Sequence, residues 1–446
     1  MNYQLLIAVT TGIIVLLILI LKLKQQAFLA LLISSILVGL IAGLPPEKII
    51  DTIKQGMGGT LGSVATIVGL GAIFGAILEK SGSANVIAIF LTQKFGIKNA
   101  PSAMAVAGFL IAIPVFFDVA FIILIPVIYS LQRKTKKSLL LYAIPLLSGL
   151  AITHAFIPPT PGPVAVADII KVNLGWVILV GFLTGIPTAL VSGLWFGTYI
   201  SKKINVSAPE ILEEESDYKQ SLPSIFSVLT ILGLPIFLIL LNTALESGLF
   251  HIENRSIVNS ITFIGHPFSA LIIANVIAWY VLGTKRGYTK NELLNASTKS
   301  LKATGVIILL TGAGGVFKQM LVDTKAGELI ATSLTSIGLP VLIFAFIAAA
   351  LIRILQGSST IAMITAAGLV APILAQQQFS NFQLACVVTA IASGASILSH
   401  VNDSGFWLVS QYLGLTEKQT FKSWTVMTTI LAFTGLITVS ILFTIF

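Results

Sequence analysis

The run Gln356-Gly357-Ser358-Ser359-Thr360 interrupts a long apolar stretch in the second half of this 446-residue chain. A further polar run follows at His400-Val401-Asn402-Asp403-Ser404-Gly405, and the first half has a matching pair at Phe116-Phe117-Asp118 and from His154 to Pro163. Inside a bilayer, a helix is broken only where protein or a wet cavity satisfies the freed backbone groups. Four breaks in a symmetric order are typical of transporter binding sites built from two internal repeats.

The composition is that of a polytopic membrane protein. Hydrophobic residues make up 56% of the chain and charged residues 10%, with a mean hydropathy of +0.99, which leaves too little polar surface for a soluble domain of this size. The basic residues that give the chain its net charge of +9 lie in short loops between apolar runs. They therefore indicate how the spans are oriented in the membrane, and they exclude a nucleic-acid partner. Cys386 is the one cysteine, so no intramolecular disulfide forms. Because Lys22 and Lys24 follow the first apolar run, we expect a retained helix there.

Apolar runs of about 20 residues are long enough to cross a bilayer. The sequence predicts ten crossings, near 4–21, 27–44, 59–79, 139–170, 176–200, 223–243, 258–283, 303–322, 383–413 and 424–445. Two further apolar stretches, 101–131 and 340–376, have polar residues at their centres. Each is either a pair of crossings or a re-entrant hairpin, and we predict re-entrant hairpins. The crossings 139–170 and 383–413 contain polar runs and are predicted to break at the midplane.

The distribution of basic residues predicts the orientation. With hairpins at the two places named, 19 of the 26 Lys and Arg residues fall on one side of the membrane and five on the other. An excess of basic residues marks the cytoplasmic side, so both termini are predicted to face outward. Lys318 and Arg353 are then the two cations at membrane depth.

A polar segment at 201–222 is predicted as a cytoplasmic linker between a first repeat, 1–200, and a second, 223–446. Weak similarity at a constant offset of 243 residues matches Gly69, Gly71, Phe74 and Leu78 with Gly312, Gly314, Phe317 and Leu321. Since five crossings precede the linker, the second repeat enters the membrane inverted, which predicts an all-α fold of two inverted-topology repeats. The stretches 46–58, 84–95 and 288–302 are predicted as amphipathic interfacial helices.

The polar runs suit a small hydroxylated acid as ligand. Helix N-termini supply positive potential for a carboxylate, and Ser and Thr hydroxyls supply hydrogen bonds of on the order of 1 kcal/mol each. The candidate substrate-binding residues are Thr160, Gly162, Arg353, Gly357, Ser358, Ser359, Thr360, Asn402, Asp403, Ser404 and Gly405. Two alternatives stay open: a lone hydroxyl often bonds back to its own helix, and Arg353 either pairs with the substrate or neutralises Asp118 or Asp403.

Asp118, His154 and His400 are the candidate proton-coupling residues. A charge within a membrane span costs roughly 3 kcal/mol or more, and burial disfavours the ionised carboxylate, so Asp118 is suited to exchange a proton. The two histidines occupy equivalent places in the repeats, and imidazole titrates near neutral pH. The alternatives are a structural ion pair of Asp118 with Arg353 or Lys318, and a plain interhelical hydrogen bond for each histidine. Four histidines and one cysteine without ligand spacing predict no metal, no cofactor and no enzyme.

The chain resembles the gluconate permease (gluconate:proton symporter) family of bacterial inner-membrane transporters, within the wider ion-transporter superfamily. The likeness runs nearly end to end, through Gly58-Gly59-Thr60-Leu61-Gly62, Ile113 to Asp118, His154 to Pro163, Gln356 to Thr360, and His400 to Trp407.

The resemblance implies proton-coupled uptake of a sugar acid such as gluconate by an elevator-like homodimer with a scaffold domain and a mobile transport domain. Members suited to keto-sugar acids, hexuronates, glycerate or D-serine leave the substrate open. Sodium remains an alternative coupling ion, because unwound carbonyls and hydroxyls also hold it. A channel is the remaining alternative class.

Overall fold

The computed structural model describes residues 3–113, 115–208, 222–246, 254–326, 340–400 and 403–445, and every regular element within those ranges is helical. The helices of the first half are α1 Tyr3–Leu17, α2 Ala27–Ile41, α3 Pro46–Lys80, α4 Ser83–Phe95, α5 Ala100–Ile111, α6 Phe117–Thr135, α7 Leu140–Phe156, α8 Pro161–Ile170 and α9 Leu174–Lys203. Those of the second half are α10 Ile225–Glu246, α11 Arg255–Gly265, α12 Pro267–Arg286, α13 Lys290–Asp323, α14 Val341–Gln356, α15 Ser359–Leu374, α16 Asn381–Gly394, α17 Ser404–Leu413 and α18 Glu417–Ile445.

Seven spans within the described ranges are long and apolar enough to cross a membrane. They are α3, α7 continued by α8, α9, α10, α12, α13 and α18. Helices α1, α2, α5, α14, α15 and α16 are also apolar but shorter. The chain is therefore an all-helical, multi-pass membrane protein, while the count of ten crossings stays a prediction.

Helix interruptions lie at all four polar runs: between α5 and α6, α7 and α8, α14 and α15, and α16 and α17. Two of the four have a clear local cause. Gly357 ends α14 in the left-handed region, with φ of +89°, which a residue with a Cβ rarely adopts. Pro161 begins α8 at the one helical position where its missing N–H costs nothing.

The order of elements recurs along the chain with a spacing close to 243 residues. Helix α17 begins 243 residues after α8 (404 against 161), and α18 begins 243 residues after α9 (417 against 174). The two longest helices correspond as well, since α3 has 35 residues and α13 has 34. This recurrence covers the elements that surround the cavity described below.

Two predicted boundaries within the long helices are wrong. The stretch 46–58 is continuous with the crossing after it in α3, and 288–302 is continuous with its own in α13. Helices α3 and α13 pack closely together, since a Cβ on Gly56 of α3 would lie 2.7 Å from the Val316 Cα atom of α13. This packing keeps α3 continuous despite its glycines. A capping box of Thr289 and Glu292 starts α13, and its helical hydrogen bonds then continue to Asp323.

The predicted crossing 258–283 is two helices in the structure. Pro267 cannot donate a backbone hydrogen bond, so α11 ends at Gly265 and α12 starts at Pro267. The His266 side chain caps the new helix by accepting from the Phe268 N–H at 3.3 Å. The break falls outside the functional cavity, whose lining includes no residue of α11 or α12.

Close glycine contacts lock corresponding helices together in the two halves. A Cβ on Gly149 of α7 would lie 2.3 Å from the Ala105 carbonyl oxygen of α5, and one on Gly394 of α16 would lie 2.2 Å from the Phe346 carbonyl oxygen of α14. These contacts leave no room for a side chain. The walls of the cavity are therefore fixed by backbone-to-backbone packing.

Candidate functional site

A cavity of about 610 Å³ lies where three of the four helix interruptions meet. Its volume is within the range of small-molecule binding sites. Its lining is Phe116, Phe117, Asp118, Val119, Ala151, His154, Ala155, Ile307, Arg353, Gly357, Ser358, Ser359, Thr360, Ser396, Asp403, Ser404, Gly405, Trp424 and Thr428. The structure thus brings together most of the site residues predicted from the sequence.

Three helix N-termini open onto this cavity, those of α6, α15 and α17. The first N–H groups of a helix have no intrahelical acceptor, and the helix dipole adds partial positive charge at that end. Ser358 caps α15 by accepting from the Ile361 N–H at 3.4 Å, and Asp403 caps α17 by accepting from the Gly405 N–H at 3.0 Å. The arrangement favours an anionic group in the cavity.

Arg353 pairs with Asp403 in the structure. The guanidinium is 5% exposed and donates to the Asp403 carboxylate and to the Gly357 carbonyl. One side chain therefore joins the end of α14 to the start of α17. Of the two roles considered for Arg353, the structure contains the neutralisation of Asp403, and the ion pair faces the cavity where a carboxylate ligand has access to it.

Further hydrogen bonds hold Asp403 in position. The Ser399 hydroxyl donates to the Asp403 carboxylate, and the Trp424 indole Nε1–H donates to Ser399 Oγ at 2.6 Å. Both groups are buried. Residues from α14, the α16–α17 interruption and α18 thus belong to one network, so the geometry of the ion pair depends on all three segments.

Asp118 lies in the first turn of α6 and is exposed to the cavity. Within the described ranges its carboxylate makes no hydrogen bond and no ion pair. It is close enough to Asp403 for the two negative charges to repel. The ion pair with Arg353 that was one alternative for Asp118 is absent, because Arg353 is committed to Asp403. Of the two carboxylates in the cavity lining, Asp118 is therefore the one without an ion pair among the described residues.

The two histidines have different surroundings. His154 lines the cavity, and its Nδ1 is buried without a hydrogen-bond partner in the described part of the chain. His400 Nε2 donates to the Ile354 carbonyl at 2.9 Å, and His400 is not part of the lining. His154 thus has a buried ring nitrogen without a partner among the described residues, and His400 makes the interhelical hydrogen bond that was its alternative role.

The remaining predicted residues lie elsewhere. Thr160 is buried, donates to the Ile157 carbonyl at 2.6 Å and borders a separate void of about 20 Å³. Gly162 packs against Met363, whose Sδ would lie 2.8 Å from an added Cβ. Asn402 lies outside the described residues.

Several residues of the site were not predicted from the sequence. Ser396 lines the cavity and Ser399 supports it, and both belong to the polar interruption that already contained His400. Trp424 and Thr428 come from α18, about two dozen residues further along, where the sequence pattern is that of an ordinary apolar span. Ile307 comes from α13 in the same way.

Interrupted helices around a polar, charged cavity in a multi-pass helical protein are typical of transporters. The chain is a member of the GntP permease family, whose model matches residues 3–445. It is a permease and not an enzyme.

Named relatives cover nearly the whole chain. It is 40% identical to the low-affinity gluconate transporter of Escherichia coli (strain K12), over 96% of this chain and 95% of the relative. It is 39% identical to the gluconate permease of Pseudomonas aeruginosa (strain PAO1), over 99% and 97% of the two chains. The crystal structure of the YdaH transporter of Alcanivorax borkumensis matches with a TM-score of 0.64 and 15% identity, covering 90% of this chain and 89% of that one. At that identity the likeness concerns the fold alone.

Proposed function

We propose that the protein is a secondary active transporter of the bacterial inner membrane that takes up gluconate or a related sugar acid together with protons. The observation that carries the proposal is the cavity, which combines one guanidinium, two carboxylates, three helix N-termini and a wall of hydroxyls. The names of the relatives, both of them gluconate permeases or transporters, support the choice of substrate.

A sugar acid matches these groups by chemistry. Its carboxylate is attracted to the positive potential at the N-termini of α15 and α17, next to Arg353. Its hydroxyls take hydrogen bonds from Ser358, Ser359, Thr360 and Ser404, whose side chains line the same cavity. A fatty or aromatic acid would leave these hydroxyls without partners, at a cost of about 1–3 kcal/mol for each one that became buried and unsatisfied.

The charge balance of the cavity supports coupling to protons. With Arg353, Asp118 and Asp403 all ionised, the cavity carries a net charge of −1, and a bound sugar acid would raise this to −2. Moving such a charge through the membrane is unfavourable. One proton on Asp118 returns the loaded cavity from −2 to −1, the charge of the empty cavity, so we assign the coupling proton to this carboxylate, and substrate and proton bind cooperatively.

We further propose alternating access by an elevator-like movement of two inverted repeats. The uninterrupted helices α3 and α13 form the fixed part, and the interrupted helices carry the cavity. The contacts between the two parts involve equivalent glycines, since Gly71 of α3 packs against Pro159 and Gly314 of α13 packs against Ile364. Interfaces of small residues permit close sliding contact between helices.

Competition for uptake tests the substrate. Purified protein in liposomes is given labelled gluconate together with unlabelled gluconate, hexuronates, glycerate or D-serine. We expect gluconate to compete best, and failure of unlabelled gluconate to compete removes the assignment. D-serine is expected to compete weakly: Asp403 is paired with Arg353, so the ammonium group would need the Asp118 carboxylate, to which we assign the coupling proton.

The coupling ion is tested in the same liposomes. Accumulation against a gradient that is abolished by a protonophore, and unchanged when sodium is replaced by choline, is the expected result. Loss of accumulation in choline identifies sodium as the coupling ion. Downhill flux without saturation identifies a channel.

A further inference from the structure

An aromatic contact joins the two halves of the chain at the cavity. The Phe117 ring, at the start of α6, packs against the Trp424 indole of α18, with ring centroids 5.6 Å apart and an interplanar angle of 38°. Both side chains line the cavity. Phe117 directly precedes Asp118, whereas Trp424 is linked to Asp403 through the Ser399 hydroxyl. The contact therefore connects the segment that carries one cavity carboxylate with the network that holds the other.

Ser399 is fixed to α18 by its backbone as well as its side chain. Its hydroxyl accepts from the Trp424 Nε1–H at 2.6 Å, its N–H donates to Thr428 Oγ1 at 3.2 Å, and its carbonyl accepts from the Thr425 hydroxyl. The Ser399 hydroxyl in turn donates to the Asp403 carboxylate, and Ser399 itself is fully buried. Asp403 is therefore held in a constant position relative to the Trp424 ring.

The matching positions of the first half carry different residues. At the offset of 243 residues, Trp424 corresponds to Gly181. Asp403 corresponds to Thr160, and these two residues are the N-caps of α17 and α8. A Cβ on Gly181 would lie 2.6 Å from the Phe156 carbonyl oxygen, so the helices of the first half pack here without any side chain. The fold can thus be built without an indole at this position, which indicates that Trp424 serves the site.

The separation of the two carboxylates determines how strongly a proton and a substrate affect each other's binding. Ionised Asp118 repels Asp403, and it would also repel the carboxylate of a sugar acid bound beside Arg353. Coulomb repulsion decreases with distance, so a segment that was free to move would relieve the repulsion by carrying Asp118 away. The attraction between the Phe117 and Trp424 rings opposes that movement.

We propose that Phe117 is a positioning residue for proton coupling. Through its contact with Trp424 it holds Asp118 at a fixed distance from Asp403, so that protonation of Asp118 and binding of a sugar acid strengthen each other. This inference rests on the proposed function and names a residue on which the coupling depends. Phe117 acts through Asp118 and carries no proton itself.

The charged and titratable groups around the contact come from several elements. Those in the cavity lining are Asp118 of α6, His154 of α7, Arg353 of α14 and Asp403 at the start of α17. One turn further along α6, the Phe121 ring packs against Tyr412 of α17. A change of binding with pH can therefore arise from Asp118, His154 or Asp403, and a variant of Asp118 separates these sources.

The pH dependence of binding tests the proposal. Equilibrium binding of labelled gluconate to the purified protein is measured at about pH 5.5 and about pH 7.5, a range in which a carboxylic acid with an ordinary pKa of about 4 stays ionised. For the wild type we expect a dissociation constant at least about fivefold higher at the higher pH. In Phe117→Leu, which loses the ring, this ratio should fall below about twofold. Phe117→Tyr keeps the ring and should retain the wild-type ratio.

Phe109→Leu is the matched control. Phe109 forms a tilted aromatic pair with Phe182, with centroids 5.4 Å apart, and neither residue belongs to the cavity lining. Its wild-type ratio should be unchanged. A Phe117→Leu protein that keeps the wild-type ratio, including one that loses affinity equally at both pH values, overturns the proposal. A Phe109→Leu protein whose ratio falls as far also overturns it.

The Asp118→Asn variant distinguishes failure of this inference from failure of the proposed function. It should bind gluconate equally at both pH values, and adding Phe117→Leu should not change its ratio further. A pH dependence that survives in Asp118→Asn, or a wild type without any, contradicts the proton assignment of the proposed function. A wild type and an Asp118→Asn variant that behave as expected, beside an unaffected Phe117→Leu, contradict the positioning role alone.

Discussion

Replacing Arg353 with Gln removes the cation from the buried pair and leaves the Asp403 carboxylate, 14% exposed, without its partner. Leaving one charge of a buried pair uncompensated destabilises a protein by about 3–5 kcal/mol. Because Asp403 borders a cavity that water can enter, we expect the lower end, about 3 kcal/mol. The hydrogen bond to the Gly357 carbonyl is lost as well, which adds about 1 kcal/mol.

The double variant Arg353→Gln/Asp403→Asn separates the contribution of the ion pair to the free energy of unfolding from the other effects of replacing Arg353. Removing both charges eliminates the uncompensated carboxylate, so the double variant should be more stable than Arg353→Gln alone, with a coupling energy of about 2 kcal/mol or more. Equilibrium unfolding of the purified protein in mixed detergent micelles measures all four proteins of the cycle.

A control comes from an exposed pair. Lys54, 73% exposed, lies 3.8 Å from Asp51, 59% exposed, and an ion pair of this kind is worth at most about 1 kcal/mol. Lys54→Gln should therefore change stability little. Strictly additive costs in the cycle, or an Arg353→Gln variant as stable as Lys54→Gln, would refute the argument that Arg353 and Asp403 form a buried pair.

The remaining predictions concern packing, topology and the supporting network. Gly394→Leu should prevent α16 from packing on α14 and lower the yield of folded protein, whereas Gly59→Ala, where an added Cβ contacts nothing within 4 Å, should be tolerated, as size-exclusion profiles would reveal. Cysteines placed at Lys136 and Lys325, in a background without the native cysteine, should label from opposite sides of sealed vesicles; labelling from one side contradicts the inverted repeats. Trp424→Phe should weaken gluconate binding several-fold without unfolding the protein, measured by competition for uptake, and unchanged binding would mean that the indole does not help to position Asp403.

The sequence was sufficient to place the helix interruptions, because their causes are local. Gly357 and Pro161 act on the backbone at their own positions, and the polar residues beside them have no favourable place in lipid unless they line a cavity. Most of the cavity could be predicted for the same reason, since all four runs contribute residues to its lining.

Features that depend on tertiary contacts could not be predicted in this way. The stretch 46–58 was predicted as a separate interfacial helix, but it is continuous with the crossing after it in α3, which packs closely against α13 at Gly56 and Val316. Trp424 reaches Ser399 from another helix, and nothing in its neighbourhood of sequence marks it. The break at Pro267 was different: its signal was present, and the surrounding apolar residues outweighed it.

The central claim, that one proton on Asp118 accompanies each sugar acid, is tested most directly with Asp118→Asn in liposomes. The amide imitates the protonated carboxyl and cannot release its proton. Accumulation of gluconate driven by a pH gradient should therefore vanish, while exchange of internal for external gluconate, which needs no net proton movement, should persist. Asp51→Asn, which changes an exposed carboxylate, serves as the control and should retain both activities. An Asp118→Asn protein that still concentrates gluconate on a pH gradient would contradict the account.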